Sequence, residues 1–167
     1  MPYFHVVFTV PAEIEVIAFQ NQTVVYDILF RAASETLRTI ASDSEHLGAE
    51  IGFLAVLHTW GQNLMHHPHV HCLVPGGGIA PDGKSWIACR PGFFLPVRVL
   101  SRMFRGLFLH YLDKAFAAGE LNFFSAHRNL HEPAAFRRYL APVYNIKCRV
   151  GGDVAIPTPH SAGRADF

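Results

Sequence analysis

The stretch His66-His67-Pro68-His69-Val70-His71-Cys72-Leu73-Val74 sets a His-apolar-His unit inside a run that reads as a buried β-strand. Alternate residues of a strand face opposite sides of its sheet, so His69 and His71 emerge side by side with both imidazoles aimed at one region. Such a pair is half of a metal site. Val70, Cys72 and Val74 share the other face and form its apolar edge, and Pro68 and the Pro75-Gly76-Gly77-Gly78 run bound the strand. A closed structural zinc cage does not fit, because it needs four protein ligands, commonly cysteines, and Cys72 points away from the pair.

Outward from this strand, the pattern of apolar residues gives an architecture. Tyr3 to Val10 alternates as a strand does, and Thr23 to Ala41 reads as a helix with Val25, Leu29, Ala32, Leu37 and Ile40 as its inner stripe. Ile51 to Trp60 is a second apolar strand. The polar Gly61-Gln62-Asn63 turn joins it to the histidine strand, which predicts an antiparallel hairpin. Pro81-Asp82-Gly83 marks a tight turn before a short strand at Ser85 to Ala88. A long helix spans Pro96 to Ala118, with Leu100, Met103, Phe104, Leu107, Tyr111 and Phe116 at helical spacing and Gly119 as its stop. Pro133 to Leu140 reads as a further short helix. The order β-α-β-β-β-α-α predicts an α+β domain over residues 1–143, its helices packed against an antiparallel sheet. From Tyr144 the character changes. Asn145 to Val150 suits a short strand, but Gly151-Gly152, Pro157, Pro159 and Gly163 leave no periodic apolar face, so residues 144–167 read as a poorly packed tail.

Composition narrows the class. With 167 residues, half of them hydrophobic, the chain can bury the core of one domain and is not disordered. Cys72, Cys89 and Cys148 lie far apart with no C-x-x-C spacing, which disfavours a zinc finger or a disulfide framework and suits a reducing cytoplasm. Met1 to Val10 lacks the basic and apolar regions of a secretory signal, and no apolar run approaches a membrane span, so the reading is cytoplasmic with no membrane partner. A net charge of only +1 denies bulk electrostatics any argument for nucleic acid. Local arrangement has to carry that argument. Arg98, Arg102 and Arg105 fall at i, i+4 and i+7 on one side of the long helix and make a short basic stripe. Its ordinary reading is the solvated face of an amphipathic helix.

The His-apolar-His core resembles the metal-binding motif of the HUH nucleases. The neighbouring residues narrow this: Leu57-His58-Thr59-Trp60-Gly61-Gln62-Asn63-Leu64, His67-Pro68-His69-Val70-His71-Cys72, the glycine run, Phe93-Phe94-Leu95-Pro96-Val97-Arg98-Val99-Leu100-Ser101, and the opening Pro2-Tyr3-Phe4-His5-Val6-Val7-Phe8-Thr9-Val10-Pro11. Together they resemble the rolling-circle, paired-tyrosine transposases of the insertion-sequence ninety-one family, over about residues 2 to 143. The resemblance implies an HUH-type sheet with the histidines on a central strand. It implies a divalent metal, Mg²⁺ or Mn²⁺, on His69 and His71, orienting a phosphate of single-stranded DNA for attack by a tyrosine. It also raises the basic stripe of Arg98, Arg102 and Arg105 to a candidate phosphate contact.

Two departures bear on activity. Members of that family carry a cysteine-rich zinc module upstream and a helix with two tyrosines four positions apart downstream; neither is found here, so the expectation is a copy truncated at both ends. Tyr139 and Tyr144 are five apart with Pro142 between them, which predicts that they share no unbroken helical face. No catalytic residue is therefore assigned. His67 has the parity to assist the metal pair but adjoins Pro68, His66 has the opposite parity and is expected in solvent, His5 reads as a half-buried strand residue able to reach the same face, and His58 is ambiguous. Three function classes stand: a metal-dependent transposase domain that cleaves and rejoins single-stranded DNA, an inactive metal- or DNA-binding remnant, and another metallohydrolase, for which Cys72-Leu73-Val74 supplies no Asp-His continuation. The oligomeric state and the third metal ligand stay open.

Overall fold

A computed structural model describes residues 2–60, 66–145 and 150–151. The chain runs β1 (Tyr3–Thr9), α1 (Ala12–Gln20), α2 (Gln22–Ser42), β2 (Leu54–Trp60), β3 (His66–Pro75), β4 (Gly77–Ile79), β5 (Trp86–Ala88), α3 (Val97–Ala117), a 3-10 helix (Ser125–His131), α4 (Pro133–Asn145) and β6 (Val150–Gly151). The main sheet has the order β2-β3-β1-β6, and every pairing in it is antiparallel. β3 is thus a central strand. The expected hairpin of β2 and β3 forms, although its turn at 61–63 lies outside the described residues, as do most of the expected tail and the stretch 146–149.

Cross-strand register sorts the sheet into two faces. Phe4, Val6 and Phe8 of β1 stand opposite Val74, Cys72 and Val70 of β3, and all six are buried. The helices close over this side. Phe8 meets Phe104 of α3 at 4.8 Å between ring centroids, and Phe4 stacks on Phe94 at 5.3 Å. Full burial of side chains of this size contributes roughly 1.5–3 kcal/mol each, and the stripe predicted for α2, Val25 through Ile40, is buried in the same core. The opposite face carries Tyr3, His5, Val7 and Thr9 on β1, His69, His71 and Leu73 on β3, and Leu54, Val56 and His58 on β2. It is open: Leu54 and Val56 remain 63% and 45% exposed.

Three elements differ from the sequence reading. A helix, α1, precedes the expected one; it begins right after Pro11 and buries a short face, Ile14, Ile17 and Ala18 at i, i+3 and i+4, while the apolar Phe19 beside them is exposed and blurs that pattern in the sequence. Asn21 separates it from α2 and is buried at no cost in unmet hydrogen bonds, since its amide donates to Ile17 O (3.0 Å) and Asn122 O (2.9 Å) and accepts from Asn122 N–H (2.7 Å). The glycine run is more than a terminator. Gly77 and Gly78 form β4, and a Cβ at either would fall 2.4 Å from the carbonyl oxygen of Ile87 or Glu50, so only glycine admits the neighbouring backbones. Finally, α4 continues through Pro142 to Asn145 instead of stopping at Leu140; the proline has no N–H for the Arg138 carbonyl, and burial of Leu140 and Val143 on either side of it holds the last turn in place. Gly119 does stop α3, at φ +71°, with its own N–H on Phe116 O and that of Glu120 on Ala115 O. No helix among the described residues is long and apolar enough to cross a membrane.

Candidate metal centre

His69 and His71 lie side by side on the open face of β3, as their parity requires, with ring centroids 4.8 Å apart. The neighbouring strand adds a third imidazole. His58 of β2 is the direct cross-strand partner of His69, and its ring centroid is 5.4 Å from that of His69 and 4.2 Å from that of His71. One ring nitrogen from each of the three falls within 4.8 Å of the others. β1 contributes a fourth histidine at the margin, where His5 Nε2 lies 2.6 Å from His71 Nδ1.

The donor set suits a divalent cation on three counts. His69 Nδ1 donates to the His67 carbonyl at 2.7 Å; a carbonyl only accepts, so the proton sits on Nδ1 and Nε2 keeps its lone pair. His71 Nε2 is buried and has no hydrogen-bond partner among the described residues, the condition of a nitrogen built to meet something else. The His71 imidazole is also held neutral at pH 7: burial, then the neighbouring His58, His69 and His5, push its pKa down to about 4. A metal-ligating imidazole must be deprotonated, so a cation at His71 meets little competition from protons.

The remaining histidines of the stretch take other work. His67 points along the expected face, yet its Nδ1 pairs with the Glu15 carboxylate of α1, and what it lends the centre is its backbone carbonyl. His66 is not in solvent as its parity predicted. It is half-buried, with Nε2 3.0 Å from Tyr26 Oη and Phe19 edge-on at 5.5 Å, because the start of β3 runs beneath α1 and α2. The arginine stripe is not brought to the histidines. Arg98 and Arg102 are exposed and Arg105 half-exposed on α3, and α3 packs on the Phe8 face, on the other side of the sheet.

Comparison with known proteins now bears on this arrangement. A family model described as "Putative transposase" (Y2_Tnp) matches residues 52–155, which includes β2, β3 and all three clustered histidines. The chain belongs to that transposase family. It is 71% identical over 141 residues to the protein named putative transposase y4qJ of Sinorhizobium fredii (strain NBRC 101917 / NGR234), covering 84% of this chain and 35% of that one. It is 38% identical over 82 residues to the transposase for insertion sequence element IS801 of Pseudomonas savastanoi pv. phaseolicola, covering 49% of this chain and 19% of that one. The chain thus spans well under half the length of either curated relative. Among solved structures it is similar to the conjugative relaxase TrwC in complex with oriT DNA. The metal-free structure matches at a TM-score of 0.53 with 16% identity over 65% of this chain and 43% of that one, and the metal-bound structure at 0.53 with 14% identity over 68% and 43%. At such identity the likeness establishes the fold, the α+β antiparallel architecture of an HUH nuclease.

Three tyrosine hydroxyls, those of Tyr111, Tyr139 and Tyr144, are engaged with other groups of the chain. Tyr139 donates to the Glu13 carbonyl at 3.1 Å and Tyr144 to Asp113 Oδ2 at 2.8 Å, while Tyr111 is engaged with Glu35. Tyr139 and Tyr144 therefore face different neighbours, as expected, although the reason is the turn of a continuous α4 and not a break at Pro142. Burial, then the hydrogen bond to Asp113, push the Tyr144 phenol up to about 12, which disfavours its phenolate at neutral pH. What sequence reasoning missed is His58 as a third donor. Its signal was present in the hairpin expected of the two strands, but placing it opposite His69 needs the register.

Proposed function

We propose that this chain forms the metal- and DNA-handling part of an HUH transposase of the insertion-sequence ninety-one type, acting on single-stranded DNA. The observation that carries the reading is the convergence of His58, His69 and His71 on an open sheet face, with the buried His71 Nε2 unpartnered. Three imidazole nitrogens and no carboxylate favour Mn²⁺ over Mg²⁺, which prefers oxygen ligands. A cation held there supplies polarisation of a phosphoryl oxygen, so that charge developing at phosphorus is neutralised. The protein's own part is to hold three imidazole donors on two paired strands and to leave the face above them free for an extended strand. Exposed Leu54, Val56 and Trp60 beside the histidines offer that strand an apolar and aromatic bed, on which bases stack without regard to sequence. Arg98, Arg102 and Arg105, on the far layer, would contact phosphates of flanking DNA and not the phosphate at the metal.

A second reading, binding without strand cleavage, is favoured by the state of the tyrosines, because the hydroxyls of Tyr26, Tyr111, Tyr139 and Tyr144 all contact other protein groups. Fluorescence anisotropy with labelled single-stranded and duplex oligonucleotides, with and without Mn²⁺, tests the first reading. Tighter, Mn²⁺-dependent binding of the single strand, lost in the His58→Ala, His69→Ala, His71→Ala variant, is expected; equal affinity in that variant overturns it. A denaturing gel of the same mixtures separates the two readings. A DNA-linked band abolished by Tyr139→Phe or Tyr26→Phe would establish cleavage, and its absence alongside metal-dependent binding would support the second.

A further inference from the structure

We infer that His5 is a positioning residue for the metal centre: its Nε2 accepts the Nδ1–H of His71 and thereby fixes the tautomer and ring angle that present His71 Nε2 to a cation. The inference rests on the metal reading above and deepens it.

The geometry is that of an in-plane hydrogen bond. The rings of His5 and His71 are tilted by only 20°, their centroids are 4.8 Å apart, and the contacting nitrogens are 2.6 Å apart. That centroid separation leaves room for two ring radii and the N···N distance and for nothing more, so the rings meet edge to edge with the shared hydrogen near their common plane. The residues directly across from His71, Val7 on β1 and Val56 on β2, offer it no side-chain polar atom. His5, the direct partner of Leu73, reaches it diagonally, two residues along β1 from Val7.

Orientation of the proton follows from what each nitrogen faces. His69 has an obligate acceptor, the His67 carbonyl, at its Nδ1 and so keeps a lone pair on Nε2. His71 has no carbonyl at Nδ1; it has His5, which can serve either way. Were His5 the donor, the His71 proton would sit on Nε2, a buried atom with no acceptor among the described residues. With His5 as the acceptor, both histidines of β3 keep an Nε2 lone pair for a cation. The two ligands of β3 are thus each backed by a partner at Nδ1, one from the strand's own backbone and one from β1. Partners of this kind orient ligands and raise their basicity, and their loss weakens metal binding by about 10–100-fold.

The test uses His5→Gln, which keeps an acceptor, and His5→Leu, which removes it while filling similar space. Two-bond ¹⁵N–¹H correlation spectra of the metal-free protein read the His71 tautomer directly, and isothermal titration with Mn²⁺ reads affinity. Far-UV circular dichroism establishes that both variants keep the fold. The expected result is an Nδ1–H tautomer for His71 in the unaltered protein, a move toward Nε2–H in His5→Leu with about 10–100-fold weaker Mn²⁺ binding, and recovery to within a few-fold in His5→Gln. An Nε2–H tautomer in the unaltered protein overturns the inference. So does His5→Leu binding Mn²⁺ as the unaltered protein does while His71→Ala abolishes it. If neither the unaltered protein nor any variant takes up Mn²⁺, the metal reading falls, and the tautomer spectra still decide whether His5 sets His71.

Discussion

Replacing His58 by alanine isolates the donor that comes from outside the histidine stretch. His58 sits on β2, the edge strand, and is only partly buried, so truncation opens no core cavity and leaves His69 and His71 undisturbed on β3. The cost falls on metal binding. A loss of 100-fold in affinity is the upper end for removing a group that merely supports a ligand, so it is a conservative figure for removing a ligand itself. At a Mn²⁺ concentration about 100 times the dissociation constant, binding stabilises the unaltered protein by about 2.7 kcal/mol, and the same concentration stabilises a variant weakened 100-fold by about 0.4 kcal/mol. For a chain of this size about 1 kcal/mol moves the melting temperature by roughly 2–4 °C, so the Mn²⁺-induced rise should shrink from about 5–11 °C to about 1–2 °C. Differential scanning fluorimetry with and without Mn²⁺ reads both values. An undiminished rise in His58→Ala, with the metal-free melting temperatures matched, would refute the assignment of His58 to the centre.

Neutralising Arg98, Arg102 and Arg105 to glutamine should flatten the dependence of DNA affinity on salt, by up to about three units of slope if each meets a phosphate; an unchanged slope returns the stripe to an ordinary solvated face. Cys72 is fully buried on the core face, and burial pushes its thiol up to about 12, so it should resist Ellman's reagent until the protein unfolds, while Cys72→Ser should cost about 1–3 kcal/mol in urea denaturation by burying an unpaired hydroxyl. Prompt labelling of Cys72 in the folded state would contradict that placement. The metal-free protein should lose stability as pH falls from about 6.5 to about 4. Above that window His71 is neutral in both states; within it the unfolded chain takes up a proton that the folded site, with burial and His58, His69 and His5 around the ring, refuses. Urea midpoints across this range should fall less steeply in His71→Asn, and equal slopes would remove His71 as the cause.

Much of this chain's structure could be read from its sequence alone. A strand's two-residue period places His69 and His71 on one face and Val70, Cys72 and Val74 on the other whatever the strand pairs with, and the 3.6-residue period does the same for the buried stripe of α2. Local period says nothing about register across strands. His58 lies opposite His69, and His5 within reach of His71, because of how β2 and β1 align along β3, and a slip of one residue in either pairing would have turned that histidine to the core face. The bulge between His58 and Trp60 shows how little the count of residues from the turn fixes this alignment. The same limit applies to the arginines: helical spacing groups Arg98, Arg102 and Arg105, but only the packing of Phe104 on Phe8 sets them on the layer away from the histidines. His66 found Tyr26, forty residues away, for the same reason. Periodicity along one element determined which side chains share a face; the meeting of faces from distant segments was decided by tertiary packing, where burial of the apolar sides chooses the alignment and the polar groups accept the neighbours it brings.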